Sequence, residues 1–197
     1  MCNLFDDRGK NVFHDKVNEL YYNWLKEKLV NSKNFDFIFV IGHHTIISQM
    51  SGRNRSECMN KVNLMLLDFG VICYISGHDH TLQYNILKNG EEQTIHYLIS
   101  GAGSSVYKKP FQSITSKNIK NNFYWNDEHA KAGFLTLSLH SDSFRFDFHD
   151  SKSNNLYSNR IYLKKSLNTK SKSKKSCASN FIINLIFLNF IIVHKEH

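Results

Sequence analysis

Several things are scarce in this 197-residue chain, and each scarcity excludes something. There is one proline, Pro110, set in a polar stretch over 104–132 that reads as irregular. The four cysteines, Cys2, Cys58, Cys73 and Cys177, have none of the paired spacings that hold zinc or iron–sulfur clusters. No apolar run is long enough for a confident membrane span. The longest, 181–193, is broken by Asn184 and Asn189, and as a helix it would cover about 20 Å against a hydrocarbon core of about 30 Å. No secretory signal is read in the opening residues, and a missing N-terminus would have taken one with it. A nucleic-acid reading, which the net charge of +8 invites, also fails: Lys164–Lys175 holds six lysines and no acids, and without them the remainder carries only +2.

What is present is patterned. Asp15–Leu29 carries apolar residues at Val17, Leu20, Tyr21, Trp24, Leu25 and Leu29, a helical stripe read as core, with Asp15 as N-cap. Asn60–Phe69 predicts a second helix with Val62, Leu64, Met65, Leu66 and Leu67 largely buried, stopped by Gly70. Phe35–Ile41 and the run from Val71 read as buried strands. Thr81–Leu87 and Thr94–Ser100, joined through Asn89-Gly90, predict a hairpin. Gly133–His140, Phe144–Phe148 and Leu156–Leu163 read as further antiparallel strands. Residues 164–180 form a Lys/Ser-rich linker, expected to lack structure. The apolar segment 181–193 is either a short membrane anchor or sequence not native to the protein.

The chemistry gathers at two strand ends. Val71 to Ser76 runs into Gly77-His78-Asp79-His80, and residues two apart in extended backbone share a face, so His78 and His80 can point at one centre. Gly77 is expected to give the chain its sharp exit from the strand. Phe35–Ile41 likewise ends in Gly42-His43-His44. Two apolar strands separated by a helix predict parallel neighbours with both histidine loops at one sheet edge. Three imidazoles converging from two loops point to a divalent metal, because a core histidine needs one hydrogen-bond partner and not two more histidines. In the polar loop Gln49–Asn60, Arg53 or Arg55 could reach a substrate phosphate, although a solvated loop is the favoured reading. Asn54-Arg55-Ser56 is a glycosylation acceptor pattern if the chain is secreted.

The ordered set Gly42-His43, Gly77-His78-Asp79-His80 running into Thr81-Leu82-Gln83-Tyr84, and Ser100-Gly101-Ala102-Gly103 resembles the C-terminal half of the purple, or tartrate-resistant, acid phosphatases. These belong to the calcineurin-like metallophosphoesterases. The Trp24-Leu25-x-x-x-Leu29 helix and the strands around Gly133-Phe134 and Leu156-Tyr157 extend the likeness across residues 1–163. The resemblance implies an α/β fold, the C-terminal half of an α/β/β/α sandwich. It implies phosphomonoester hydrolysis by a metal-bound hydroxide at a binuclear centre, iron paired with iron, zinc or manganese. His43 and His78 would bind the divalent metal and His80 the ferric iron, while Asp79 would orient the loop. The family's tyrosine and proline after the first histidine are replaced here by His44 and Thr45. A bridge from Cys2 to Cys58 and a secretory or vacuolar location are implied too.

The family's earlier Asp-x-Gly, Gly-Asp-x-x-Tyr and Gly-Asn-His segments have no counterpart in these 197 residues; Asp7-Arg8-Gly9 fits the first only by chance. The expectation is therefore a fragment or incomplete gene model, inactive by itself. The alternative is a noncatalytic remnant with a binding role that holds a single divalent metal. A phosphomonoester is the expected small-molecule partner. No nucleic acid is expected, and membrane contact is open only through the 181–193 segment.

Overall fold

Alternation along the central strands decides which side of the sheet each residue feeds. The computed structural model describes residues 12–32, 34–50, 57–90, 93–107, 117–127, 129, 132–163 and 183–187. Its elements run α1 (Val12–Val30), β1 (Phe37–Gly42), α2 (Glu57–Asp68), β2 (Cys73–Ser76), β3 (Leu82–Asn89), β4 (Gln93–Ser100), β5 (Ile119–Trp125), β6 (Gly133–Leu139), β7 (Ser143–Asp150), β8 (Asn155–Tyr162) and β9 (Ile183–Phe187). A six-stranded sheet has the order β5-β3-β4-β2-β1-β9, and a three-stranded sheet the order β6-β7-β8. β1, β2, β4 and β9 are mutually parallel where they pair; β3 and β5 are antiparallel additions. This is the mixed α/β arrangement expected.

Ile38, Val40, Tyr74, Ile95 and Tyr97 pack with Leu25, Leu29, Met59, Val62 and Leu66 of the helices. The intervening residues Phe37, Phe39, Cys73, Leu82, Tyr84 and Leu98 face the other way, against Phe144, Phe146 and Phe148 of β7. A period-two strand thus feeds two cores, and the central sheet is the middle layer. The Asn89-Gly90 hairpin is as read, with Gly90 at φ 68°, the left-handed conformation its turn requires.

Three expectations change. The α1 stripe is wider than the face the sheet covers: Leu25 and Leu29 are buried, whereas Tyr21, Trp24 and Leu20, progressively further round the helix, are exposed. α2 begins at Glu57 rather than Asn60, with an acid in its first turn and a Glu57–Lys61 ion pair at 3.4 Å. Its buried residues are Met59, Val62, Asn63 and Leu66, while Leu64 is exposed. The stretch 104–132 contains β5, whose Lys120-Asn121-Asn122 hides the strand pattern because it is an edge strand with a register shift opposite Tyr84 and Asn85.

Within the segment 181–193, residues 183–187 form a strand parallel to β1, Phe37 opposite Ile183 and Ile41 opposite Phe187. No helix among the described residues is long and apolar enough to cross a membrane. The linker 164–180, Pro110, Arg53, Arg55 and the Asn54-Arg55-Ser56 pattern lie outside the described residues. Cys58 is disulfide-bonded, and Cys2, its expected partner, also lies outside them. Cys73 is a buried free thiol.

One buried base gives the fold a pH dependence. His96, on β4, has its Nδ1 2.8 Å from the Tyr84 hydroxyl and its ring edge-on to Phe144. Burial lowers its pKa to about 4, so the folded state holds it neutral. The unfolded chain takes up that proton near pH 6.5, so stability from this residue is intact above pH 6.5 and is lost as pH falls toward 4. Between pH 7 and pH 5.5 the loss is expected to be about 1 kcal/mol. His96→Gln, which keeps a hydrogen-bonding group and does not titrate, should flatten the urea-denaturation profile by that amount over this range in metal-free buffer. An unchanged slope would show that His96 is charged in the fold.

Candidate metal centre

β1 and β2 lie parallel with Gly42 opposite Ser76, so the two chains leave the sheet side by side. One residue further, the Gly77 amide donates to the His43 carbonyl at 3.0 Å, extending the pairing into the loops. His78 then sits at φ 58°, in the left-handed region that a non-glycine residue rarely occupies. Strain of this kind gathers at functional sites. The expected sharp exit at Gly77 therefore falls one residue later: Gly77 has a negative φ, and a Cβ there would meet nothing closer than 3.9 Å.

This turn carries His78 Nδ1 to 3.3 Å from His43 Nε2. One ring nitrogen from each of His43, His44 and His78 lies within 4.8 Å of the others, and all three residues are half-buried. The rings meet edge to face rather than in stacks, with interplanar angles of 74° for His43–His78, 79° for His43–His44 and 62° for His44–His78. Nitrogens bound tetrahedrally at about 2.0–2.1 Å stand about 3.3–3.4 Å apart, so the His43–His78 separation fits two ligands of one cation. The donor set, three imidazoles with no carboxylate in the group among the described residues, suits a borderline divalent metal.

Of the three residues singled out from sequence, the structure brings together His43 and His78 and holds His80 apart from them. The His80 ring stacks on Tyr107, centroids 4.2 Å apart, and its Nδ1 lies 2.6 Å from Ser105 Oγ. The Tyr107 amide also donates to the His80 carbonyl at 2.8 Å. His44 takes the third place in the group. In the sequence His44 stood out only as a replacement for the family's tyrosine; neighbours in extended backbone point apart, but the chain bends at His43 and His44 as it leaves β1. The buried Tyr74 hydroxyl donates to the His44 carbonyl at 2.8 Å and holds that bend.

Asp79 is fully buried behind the histidines, where Thr45 Oγ1 donates to its Oδ2 at 3.3 Å and ties the β2 loop to the β1 loop. The orienting role expected of Asp79 matches this position. Below, Ile46 and Ile47 are buried. A polar shelf that the sequence did not reveal fastens the following residues to β3. The Gln49 amide donates to Gln83 Oε1 at 2.7 Å, and Gln49 Nε2 donates to Asn85 Oδ1 at 2.5 Å and to the Phe123 carbonyl at 3.0 Å. Gln83 Nε2 in turn donates to Thr81 Oγ1 at 2.7 Å. Buried amides in such number are tolerated because each finds partners.

Residues 3–82 match the family model described as calcineurin-like phosphoesterase. Tartrate-resistant acid phosphatase type 5 of Oryctolagus cuniculus is 27% identical over 139 residues, covering 70% of this chain and 41% of the relative. The chain thus spans about two fifths of that relative's length. Among solved structures, the fold is shared with purple acid phosphatase PPD1 of yellow lupin (Lupinus luteus), at TM-score 0.58 and 13% identity over 72% of this chain and 28% of that one. It is also shared with GAP50 of Plasmodium, described as the anchor in the inner membrane complex, at TM-score 0.61 and 24% identity over 78% of this chain and 45% of that one.

Proposed function

We propose that this chain supplies the histidine loops of a metal-dependent phosphomonoester hydrolase of the acid phosphatase kind. The observation that carries the reading is the pair His43 and His78, delivered by adjacent parallel strands to 3.3 Å from one another. When bound, a divalent metal there polarises a phosphoryl oxygen and lowers the pKa of bound water. The chain's own residues hold and orient it: Asp79 and Thr45 lock the two loops together, and Tyr74 fixes the backbone at His44. In a binuclear centre of iron with iron, zinc or manganese, His80 is the residue we assign to the second metal. The disulfide at Cys58 supports an oxidising compartment, such as the secretory pathway or a vacuole.

The 197 residues present no carboxylate within the described histidine group, so we expect them to turn over no phosphomonoester by themselves. The test is to sequence the complete transcript and assay both products on p-nitrophenyl phosphate with zinc, manganese and iron. A reading frame that continues upstream into Asp-x-Gly, Gly-Asp-x-x-Tyr and Gly-Asn-His segments should yield an active enzyme that loses at least about 100-fold in His78→Ala. An inactive longer product would overturn the hydrolase reading. Turnover by the 197-residue chain, lost in His78→Ala, would overturn the fragment reading. A noncatalytic domain with a binding role is the second reading, favoured by the shared fold with GAP50, an anchor in the inner membrane complex of Plasmodium. A stop codon directly upstream of Met1 would select it.

A further inference from the structure

We propose that His43, His44 and His78 form a mononuclear three-imidazole site for a divalent cation of the zinc class, with His44 and not His80 as its third nitrogen. The inference rests on the metal reading above only for His43 and His78; the assignment of His44 is independent of it. Three nitrogens from three half-buried rings lie within 4.8 Å of each other, and one pair is already at the separation a tetrahedral cation sets. Both loops that carry them are held at the backbone, by the Gly77 amide and by the Tyr74 hydroxyl. His80 is occupied on the other side, against Ser105 and Tyr107.

The donor set also selects the ion. Imidazole suits zinc, cobalt, nickel and copper, whereas magnesium and calcium take oxygen ligands, so neither should compete. Three protein nitrogens leave a fourth tetrahedral position for water or an anion, as in open zinc sites. Among the described residues no thiolate joins the group, since Cys58 is disulfide-bonded and Cys73 is buried in the core between the sheets.

The test titrates the chelator-treated 197-residue chain with cobalt(II), follows the visible absorption of the four-coordinate ion, and then displaces it with zinc. One cobalt per chain is expected. Loss of a group that merely holds a metal ligand costs about 10–100-fold in affinity, so loss of the ligand itself in His44→Gln should cost at least about tenfold. His80→Gln should leave the affinity within about twofold. Melting the metal-free variants separates ligand loss from loss of fold. X-ray absorption on the zinc-loaded unmodified chain needs no variant and should count three imidazole nitrogens; a count of two or fewer overturns the proposal. If His80→Gln weakens binding and His44→Gln does not, the His44 assignment falls while the His43–His78 metal reading stands. If the unmodified chain binds neither ion, both fall.

Discussion

Replacing Gly101 by alanine is expected to lower the stability of the fold by about 3 kcal/mol or more and to abolish cation binding at the histidine loops. A Cβ built on Gly101 would stand 1.9 Å from the Asp79 carbonyl oxygen and 2.6 Å from its carbon. Those are backbone atoms, so no side-chain rotation relieves the overlap. The Asp79 carbonyl is itself held by the Thr81 amide at 2.7 Å, and the Gly101 amide donates to the Thr81 carbonyl at 3.1 Å. Relief therefore requires moving the whole His78–Thr81 turn, which carries His78 and His80. Urea unfolding measures the stability and cobalt titration the site. Two neighbouring glycines provide controls. A Cβ at Gly103 meets nothing within 4 Å, and one at Gly77 only ordinary contacts from 3.9 Å outward, so alanine at either should cost no more than about 1 kcal/mol. A Gly101→Ala chain as stable as Gly103→Ala would mean that the β4 end does not press on the turn as described.

That contact shows what was legible in the sequence and what was not. The motif Ser100-Gly101-Ala102-Gly103 stands out in the sequence, but nothing in the letters says that Gly101 presses on the turn while Gly103 stands in open space. Local patterns with a strict period carried well. Phe37–Val40 and Cys73-Tyr74 are unbroken apolar runs because both faces of a central strand are covered, and their parallel pairing followed from the helix between them. His43 and His78 followed from the strand ends. The convergence of His44 did not, since it depends on the bend after β1 and on a hydroxyl from Tyr74 in the next strand. Nor did β5, whose polar residues belong to a sheet edge, or the Gln49–Gln83–Asn85 shelf, which joins residues more than thirty positions apart. On α1, composition marked Leu20 and Trp24 as apolar, but which arc of a helix is covered is decided by the sheet it lies on.

Phe144→Ala should cost about 3–5 kcal/mol, and it tests whether the three-stranded sheet shares one cooperative unit with the metal loops. Phe144 is fully buried on β7, and its ring meets Phe39 edge-on at 5.1 Å, Phe37 at 6.2 Å and His96 at 6.0 Å. It is the ring through which the second sheet grips β1 and β4, the strands that flank β2 and its histidine turn. Truncation removes the whole aromatic volume at a point where rigid rings on both sides restrict collapse, which places the cost at the upper end for a core deletion. Phe144→Leu, which refills most of that volume, should cost only about 1–1.5 kcal/mol. Because Phe37 and Phe39 alternate with Ile38 and Val40, slack on this face is transmitted through β1 itself and not through the helix layer. Thermal unfolding of Phe144→Ala should therefore remain a single transition, displaced downward, with cobalt absorption lost at the same temperature as the β-sheet signal. If cobalt absorption survives past the melting of part of the sheet signal, β6-β7-β8 is a separate unit, and the histidine loops stand on the central sheet and helices alone.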